Sequence, residues 1–406
     1  MFQHSRRYAE RAYAHIQQLS VTIGPRPSAG EGERAAADYA AGVLRRAGLR
    51  GVRLEPFRAP VSTYAPYRLV FGAALLGSLA QRTLPERVGA LAGAALSALA
   101  AWGFFAEADL RPNWTGALVR HSVSQNVVGV IPARAEVRRR VVVYGHLDTH
   151  RTPLFYSSPA WLRWFSRLIG AGFVSLGLNT ARYGLEALAD PPANRLPPVA
   201  SAGLGGLAGA LQLLGLALTT QADLTAHTRG ANDNASGAAT ALALGERLAH
   251  DPLRHTEVWV VATGCEEVGA RGMAALLERH GQQLRDALLV GFDMVGIGQP
   301  ALIPAQGLLR RRPADARLLE AARIVGRRHP ELGVWEHPID AFDDSYMVAR
   351  LGFRGMTVDA EGRPGAPGDA THKHWHRTSD TIDKISRDTL EQVHRFAWAL
   401  LHELDT

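Results

Sequence analysis

Five short segments of this 406-residue chain carry side chains able to ligate a metal ion or to move a proton. YGHLDT offers His146 with Asp148 two residues on, GANDNASG offers Asp233, and GCEEVG offers Glu266 and Glu267. FDMVG offers Asp293, and HKHWHRTSDT offers His372, His374 and His376. Singly, each has an ordinary explanation: a strand-end histidine satisfied by its neighbours, a solvated acidic pair, an aspartate capping a turn. Together they demand a common one, because carboxylates gathered at the ends of separate strands repel unless something cationic lies between them. Carboxylates and imidazoles without thiolates suit hydrolytic zinc better than a structural cysteine site.

Each segment has a specific capability. His146 follows the β-branched run Val141–Tyr144, and the carboxyl end of a strand is where α/β sheets open onto their ligands. Asp148 is placed to orient a metal-bound His146 through its other ring nitrogen. Asp233, in a glycine-bounded polar loop, has two oxygens with which to bridge two cations. Glu266 and Glu267, directly after the run 257–263, form a natural pair of proton acceptor and ligand. Asp293 closes the run 287–293, and the three histidines of the last segment alternate on one face if extended.

The elements that must hold these residues follow from periodicity. Runs 126–131, 141–144, 257–263 and 287–293 have strand length, with helical spacing near 236–250 and 270–280 between the last three. That alternation predicts a largely parallel sheet covered by helices. The first 60 residues read as helices near 8–19 and 31–47 separated by the turn Gly24-Pro25-Arg26-Pro27, with strand-like character besides.

Two segments break the pattern with apolar sequence. The first, 64–106, contains 69–81 and 88–106 around RTLPER; the second, 161–220, contains 168–181 and 196–220 around a loop carrying Arg182, Glu186, Asp190 and Arg195. Stretches 88–106 and 196–220 are long enough for a bilayer. Gly89/Gly93 and Gly205/Gly209 have the GxxxG spacing of close-packed membrane helices, and Tyr64, Tyr67, Trp161 and Trp164 sit where interfacial aromatics would. Membrane association through 64–106 and 161–220 is the favoured expectation; a homodimer interface or a soluble lid is the alternative.

Composition excludes several classes. At 47% hydrophobic residues the chain is globular. Its formal charge of +7 is almost wholly arginine, scattered along the chain, so nucleic acid is not an expected partner. The lone Cys265 excludes an internal disulfide and suits a reducing compartment. The first twenty residues lack the apolar core of a signal peptide. Hairpins that return to the same side, with no signal peptide before them, give as the default expectation a cell-membrane protein whose catalytic part faces the cytoplasm, the alternative being a soluble cytoplasmic protein. The arginines at the hairpin bases outnumber those at the tips, but the bases also comprise more chain.

The order of these motifs, with IGPRPSAGEGERAAADYAAGVLRRAGL near the start, resembles the co-catalytic zinc aminopeptidase family, which also contains glutamate carboxypeptidases and glutaminyl cyclases. The resemblance covers that N-terminal stretch and then everything from about Asn126 onward except the second apolar segment. It implies a three-layer α/β sandwich with a mixed, largely parallel sheet, of zinc-exopeptidase type, interrupted by two inserted hydrophobic helical hairpins. Peptidase sequence would then occupy 1–63, 107–160 and 221–406. Two Zn2+ are implied: His146 and Asp293 on one, Glu267 and His376 on the other, Asp233 bridging. His376 is preferred to His372 and His374 because it stands four residues before Asp380-Thr381. Glu266 would be the general base, Asp148 the carboxylate behind His146, and the substrate a peptide or aminoacyl compound cut at its amino end; glutaminyl cyclase-like or carboxypeptidase activity, or a non-catalytic membrane protein on the same fold, are the alternatives. Where many members carry S-D-H, often after a tyrosine that stabilises the tetrahedral intermediate, this chain reads AFDDSYMVARLGF, with Ser345 at the histidine position, Phe342 at the tyrosine position and Tyr346 nearby. The partner for the oxyanion is therefore left open.

Overall fold

The computed structural model describes residues 2, 4–188, 197–363 and 374–406, and these form two compact units. One comprises residues 1–61, 121–150 and 227–406; the other comprises 62–120 and 151–226. Segments 107–120, 151–160 and 221–226, expected with the peptidase sequence, group with the second unit.

Among the described residues, the first unit has ten strands. They are β1 (Arg50–Pro60), β2 (His121–Ile131), β3 (Arg139–His146), β4 (Thr256–Thr263), β5 (Leu288–Phe292), β6 (Gln299–Leu302), β7 (Ala305–Gln306), β8 (Arg312–Pro313), β9 (Trp335–Glu336) and β10 (Arg354–Glu361). Strands β7 and β8 pair separately, and the rest form one sheet in the order β1-β2-β4-β3-β5-β10-β6-β9. The centre, β4-β3-β5-β10, is parallel, while β1-β2, β2-β4 and β10-β6 are antiparallel. The sheet is thus mixed with a parallel heart, as the helix–strand alternation implied.

Period-two burial fixes the layers. Val141 and Val143 of β3 join a core with helices Ser5–Gln17, Glu31–Arg46, Gly237–His250, Ala316–Arg328 and Arg387–Leu404, while Val142 and Tyr144 are buried on the other face. Helices Arg271–Leu284 and Asp344–Arg350 contact β2, β5 and β10 there. Two glycines set the depth of this packing. A Cβ on Gly237 would lie 2.0 Å from the Phe292 carbonyl oxygen, and one on Gly145 would lie 2.5 Å from the Ala238 nitrogen. Only glycine lets the start of helix Gly237–His250 press onto the ends of β3 and β5.

Helix Arg387–Leu404 also buries His394, whose ring stacks on Tyr8 at 5.5 Å with neither nitrogen hydrogen-bonded. Burial, with the Arg247 guanidinium adding to it, pushes this imidazole down from 6.5 to about 3. The unfolded chain therefore takes up a proton below pH 6.5 that the folded chain refuses until about pH 3. The associated stability is complete above pH 6.5 and is lost as pH falls. Relative to His394→Leu, the wild type should lose about 2 kcal/mol between pH 6.5 and pH 5, read from denaturant midpoints at each pH. Equal losses in both proteins would refute the assignment.

The second unit is helical. Helices Ala65–Thr83 and Glu86–Ala108 pack as a hairpin that breaks at RTLPER, with Pro85 capping the second. Helices Pro159–Leu188 and Pro198–Asp223 also contact each other. Arg182 and Glu186, expected in a loop, instead belong to helix Pro159–Leu188, while Asp190 and Arg195 lie outside the described residues. Arg182 donates to the Ser201 carbonyl and hydroxyl oxygens, and Ser201 donates to Glu186 at 2.6 Å. Once these groups pair across two helices, nothing local stops the first from continuing. Gly89 and Gly93 do sit at close contacts, whereas Gly209 faces open space.

This unit has an apolar core that includes Val70, Phe71, Phe104 and Leu176, and it also buries polar side chains and exposes apolar ones. Ser97, Asn179 and Gln212 are buried, while Leu178, Leu207 and Leu213 are more than half exposed. Most large apolar side chains exposed among the described residues belong to this unit. Two of its helices, Glu86–Ala108 and Val199–Asp223, are long and apolar enough to cross a membrane, and only 39% and 22% of their apolar windows are buried.

Candidate metal centre

The site lies at the carboxyl ends of β3, β4 and β5, where parallel strands leave their ends unpaired. His146 ends β3, Glu266 and Glu267 follow β4, and Asp293 follows β5. His146 is buried, with Nδ1 3.2 Å from the Asp148 carbonyl oxygen, to which it can donate. That bond leaves Nε2 facing carboxylates: Asp233 Oδ1 at 3.4 Å, Asp293 Oδ2 at 3.7 Å and Glu266 Oε2 at 3.9 Å. His376 Nε2 lies 3.2 Å from Asp233 Oδ2 and 3.4 Å from Glu267 Oε2. The two oxygens of Asp233 thus face two different imidazoles.

Long-range hydrogen bonds fix the loop that bears Glu266. Four successive backbone N–H groups find side-chain acceptors: Gly264 to Asn126, Cys265 to Glu33, Glu266 to Asp148 Oδ1 and Glu267 to Asp148 Oδ2, at 2.7 to 3.1 Å. Cys265 takes a left-handed φ of 55° within this turn. The Asp148 carboxylate also accepts from the Ser28 hydroxyl at 2.7 Å, tying the SAGEGE segment to the same point. Asp148 therefore holds both His146 and the acidic pair.

The loop that bears Asp233 is held similarly. Asp380 accepts from the N–H groups of Asn232 (2.7 Å) and Asp233 (3.0 Å), and Asn234 donates to the Phe292 carbonyl while accepting from Gly237. Arg26 is wholly buried and donates to the carbonyls of Leu147, Leu19, Gly24, Arg229 and Gly230. Three segments, around residues 19–24, 147 and 229–230, are pinned by that one guanidinium.

The charge balance of the centre favours cations. Burial, reinforced by Glu267, Asp344 and Asp293 against the opposing His146, pushes Glu266 well above the ordinary carboxylate range. Burial and Asp233 raise Glu267 to about 7, and burial with Asp233 raises Asp293 as well. Against their own burial, His146 and His376 are driven upward by the surrounding acids, His376 to about 9. Asp233 is held low, burial being outweighed by its two imidazoles, and Asp148 is lowered likewise, its burial outweighed chiefly by His146. Carboxylates pushed to gain protons and imidazoles pushed to keep them mark a shortage of positive charge. Asp293 Oδ1 is moreover buried without a hydrogen-bond partner. Metal ions would relieve both conditions, and the donors form three sets able to hold one: His146/Asp233/Asp293, His150/Glu267/His376 and His146/Glu266/Glu267.

The structure thus brings together His146, Asp148, Asp233, Glu266, Glu267, Asp293 and His376. His374 does not join them; its Nδ1 lies 2.9 Å from the Ser379 hydroxyl. His372 lies outside the described residues. His150, passed over in the sequence, stacks on His376 with centroids 3.6 Å apart. Its only local signal is the H-x-x-x-H spacing from His146, which in a loop says little. Near the altered motif, Tyr346 donates to the Arg310 carbonyl oxygen at 3.3 Å, and Asp344 accepts from Thr263 at 2.5 Å at the end of β4.

Residues 216–401 match the model of peptidase family M28. No curated protein matches the chain in sequence. Among solved structures, a zinc aminopeptidase from Bacillus subtilis is similar at 16% identity, with a TM-score of 0.56, over 98% of this chain and 95% of its own. An aminopeptidase from Aneurinibacillus sp. strain AM-1 is similar at 14% identity, with a TM-score of 0.56, over 98% and 95%. A glutaminyl cyclase from Tannerella forsythia is similar at 14% identity, with a TM-score of 0.55, over 97% and 98%. At these identities the likeness to solved structures is one of fold. Together with the family match it agrees with the resemblance carried by the motifs.

Proposed function

We propose that this protein is a zinc metallopeptidase that removes residues from the amino end of peptides, and that residues 62–120 and 151–226 attach it to a membrane. The single observation behind the peptidase reading is Glu266, a buried carboxylate beside, and distinct from, the donors grouped around Asp233. In this reading His146 and Asp293 would hold one zinc, Glu267 and His376 would hold a second, and Asp233 would serve both. Bound zinc would supply a nucleophile at neutral pH and polarise the scissile carbonyl. Glu266 takes the attacking water's proton and returns it to the leaving amine. Asp148 fixes the direction of that carboxylate through the two N–H groups it accepts.

The family match and the aminopeptidase neighbours support hydrolysis, and the cyclase neighbour motivates the one competing reaction. A panel of aminoacyl, N-blocked and N-terminal glutaminyl fluorogenic substrates, assayed with zinc and with cobalt, separates them. Release from free amino ends only is expected. Cyclisation of the glutaminyl substrate without peptide release would overturn the assignment.

The membrane reading rests on the large apolar side chains that the helical unit leaves exposed on two long apolar helices, which lipid would cover. The native protein should sediment with membranes, resist high salt and carbonate, and be released by detergent. A soluble dimer would make the same helices an oligomer interface.

A further inference from the structure

A second group of ligating side chains lies on the far part of the sheet. In-register pairs of a sheet share a face, and β10 pairs with β6 as Asp359↔Ala301 and Glu361↔Gln299, while β6 pairs with β9 as Ala301↔Trp335. Trp335 and His337, two residues apart, continue that face, as do Asp359 and Glu361. The small Ala301 leaves His337 room to reach across to the carboxylates of β10.

His337 Nε2 lies 3.4 Å from Asp359 Oδ2 and 3.3 Å from Glu361 Oε2. That nitrogen is buried and, among the described residues, has no hydrogen bond of acceptable geometry. The ring is nevertheless held: Trp335 stacks on it with centroids 4.8 Å apart and planes 19° from parallel, and the His337 N–H donates to the Leu302 carbonyl at 3.1 Å. A paired imidazolium would sit closer and in line with its acceptor. Separations near 3.3 Å are instead about the edge of a tetrahedron whose bonds to a central metal are roughly 2.0 to 2.1 Å. The same spacing, 3.2 to 3.4 Å, separates the imidazoles of His146 and His376 from Asp233.

We infer that His337, Asp359 and Glu361 form an additional divalent-cation site, separate from the ligands around Asp233 and suited by its mixed nitrogen and oxygen donors to zinc or manganese. The site shares no ligand with the catalytic centre. It adjoins that centre through the strand, because the Asp293 N–H donates to the carbonyl of Val358, the residue before Asp359. A metal there would tie β9 to β10 and fix the strand end that carries this contact.

The full chain, detergent-solubilised and dialysed against micromolar free zinc, is compared by elemental analysis with His337→Gln, Glu361→Gln and the double variant Glu267→Ala/His376→Ala. Each of the first two should hold one zinc equivalent fewer than wild type, and the last should retain the equivalent that they lose. Circular dichroism establishes that each variant is folded, and having two single variants guards against one that is not. Unchanged metal content in a folded His337→Gln or Glu361→Gln would overturn the site. So would lost affinity for peptides with cationic first residues while every metal equivalent remains, since the carboxylates would then be reading substrate. Because the count is a difference from wild type, it stands apart from whether the catalytic centre holds two ions.

Discussion

Glu266→Gln is expected to keep its metal and to lose turnover by about 10²- to 10⁴-fold, the usual contribution of a general base. The amide has nearly the shape of the carboxylate, and the N–H groups of residues 266 and 267 that position the turn remain on Asp148. What is lost is the capacity to take a proton at neutral pH. Burial and the neighbouring acids hold the Glu266 carboxyl well above its ordinary value, a tendency that bound cations would oppose. The two measurements needed are metal content and kcat on the best substrate of the panel. A variant retaining more than about a tenth of the wild-type rate would place the base elsewhere. One that lost zinc as well as rate would make Glu266 a ligand, as the group His146/Glu266/Glu267 permits.

Asp233→Ala should strip metal more completely than His376→Ala. The two Asp233 oxygens face His146 at 3.4 Å and His376 at 3.2 Å, so its loss removes the one carboxylate placed between the two imidazoles. It also leaves Glu267 and Asp293 opposed without the group that draws the imidazoles between them. Loss of His376 removes one donor from one group, and His150, stacked against it, remains with Glu267. Elemental analysis after identical dialysis should show near-complete loss for Asp233→Ala and partial loss for His376→Ala. Equal, near-complete zinc in both would remove both residues from the ligand set.

Some of this was legible one segment at a time. A β-branched run followed by a polar or acidic residue describes a strand end, and a strand end in an α/β sheet faces the crevice. Hence His146, Glu266, Glu267 and Asp293 are found near one another although they are dispersed over nearly 150 residues, from 146 to 293. The helices on either side were equally visible, since their apolar spacing is local. Periodicity misled at Arg182 and Glu186, where a charged stretch within apolar sequence reads as a loop but is helical because Ser201 satisfies both side chains.

By itself, then, the sequence determined which residues stand at strand ends, that the central sheet is largely parallel, and that two segments are too apolar for their surroundings. These are properties of short stretches, set by side-chain period and turn chemistry. The tertiary structure decided which strands are neighbours, that the backbone after β4 is held by Glu33 and Asp148 from 232 and 118 residues away, and that Asp380 steadies Asp233 across 147 residues. It decided also that His150 joins the centre while His374 turns to Ser379, and that Ser97, Asn179 and Gln212 face inward in the helical unit. Each of these is a contact between distant segments, where the partner's identity leaves no trace in the local pattern and only the closed chain satisfies a buried donor or charge.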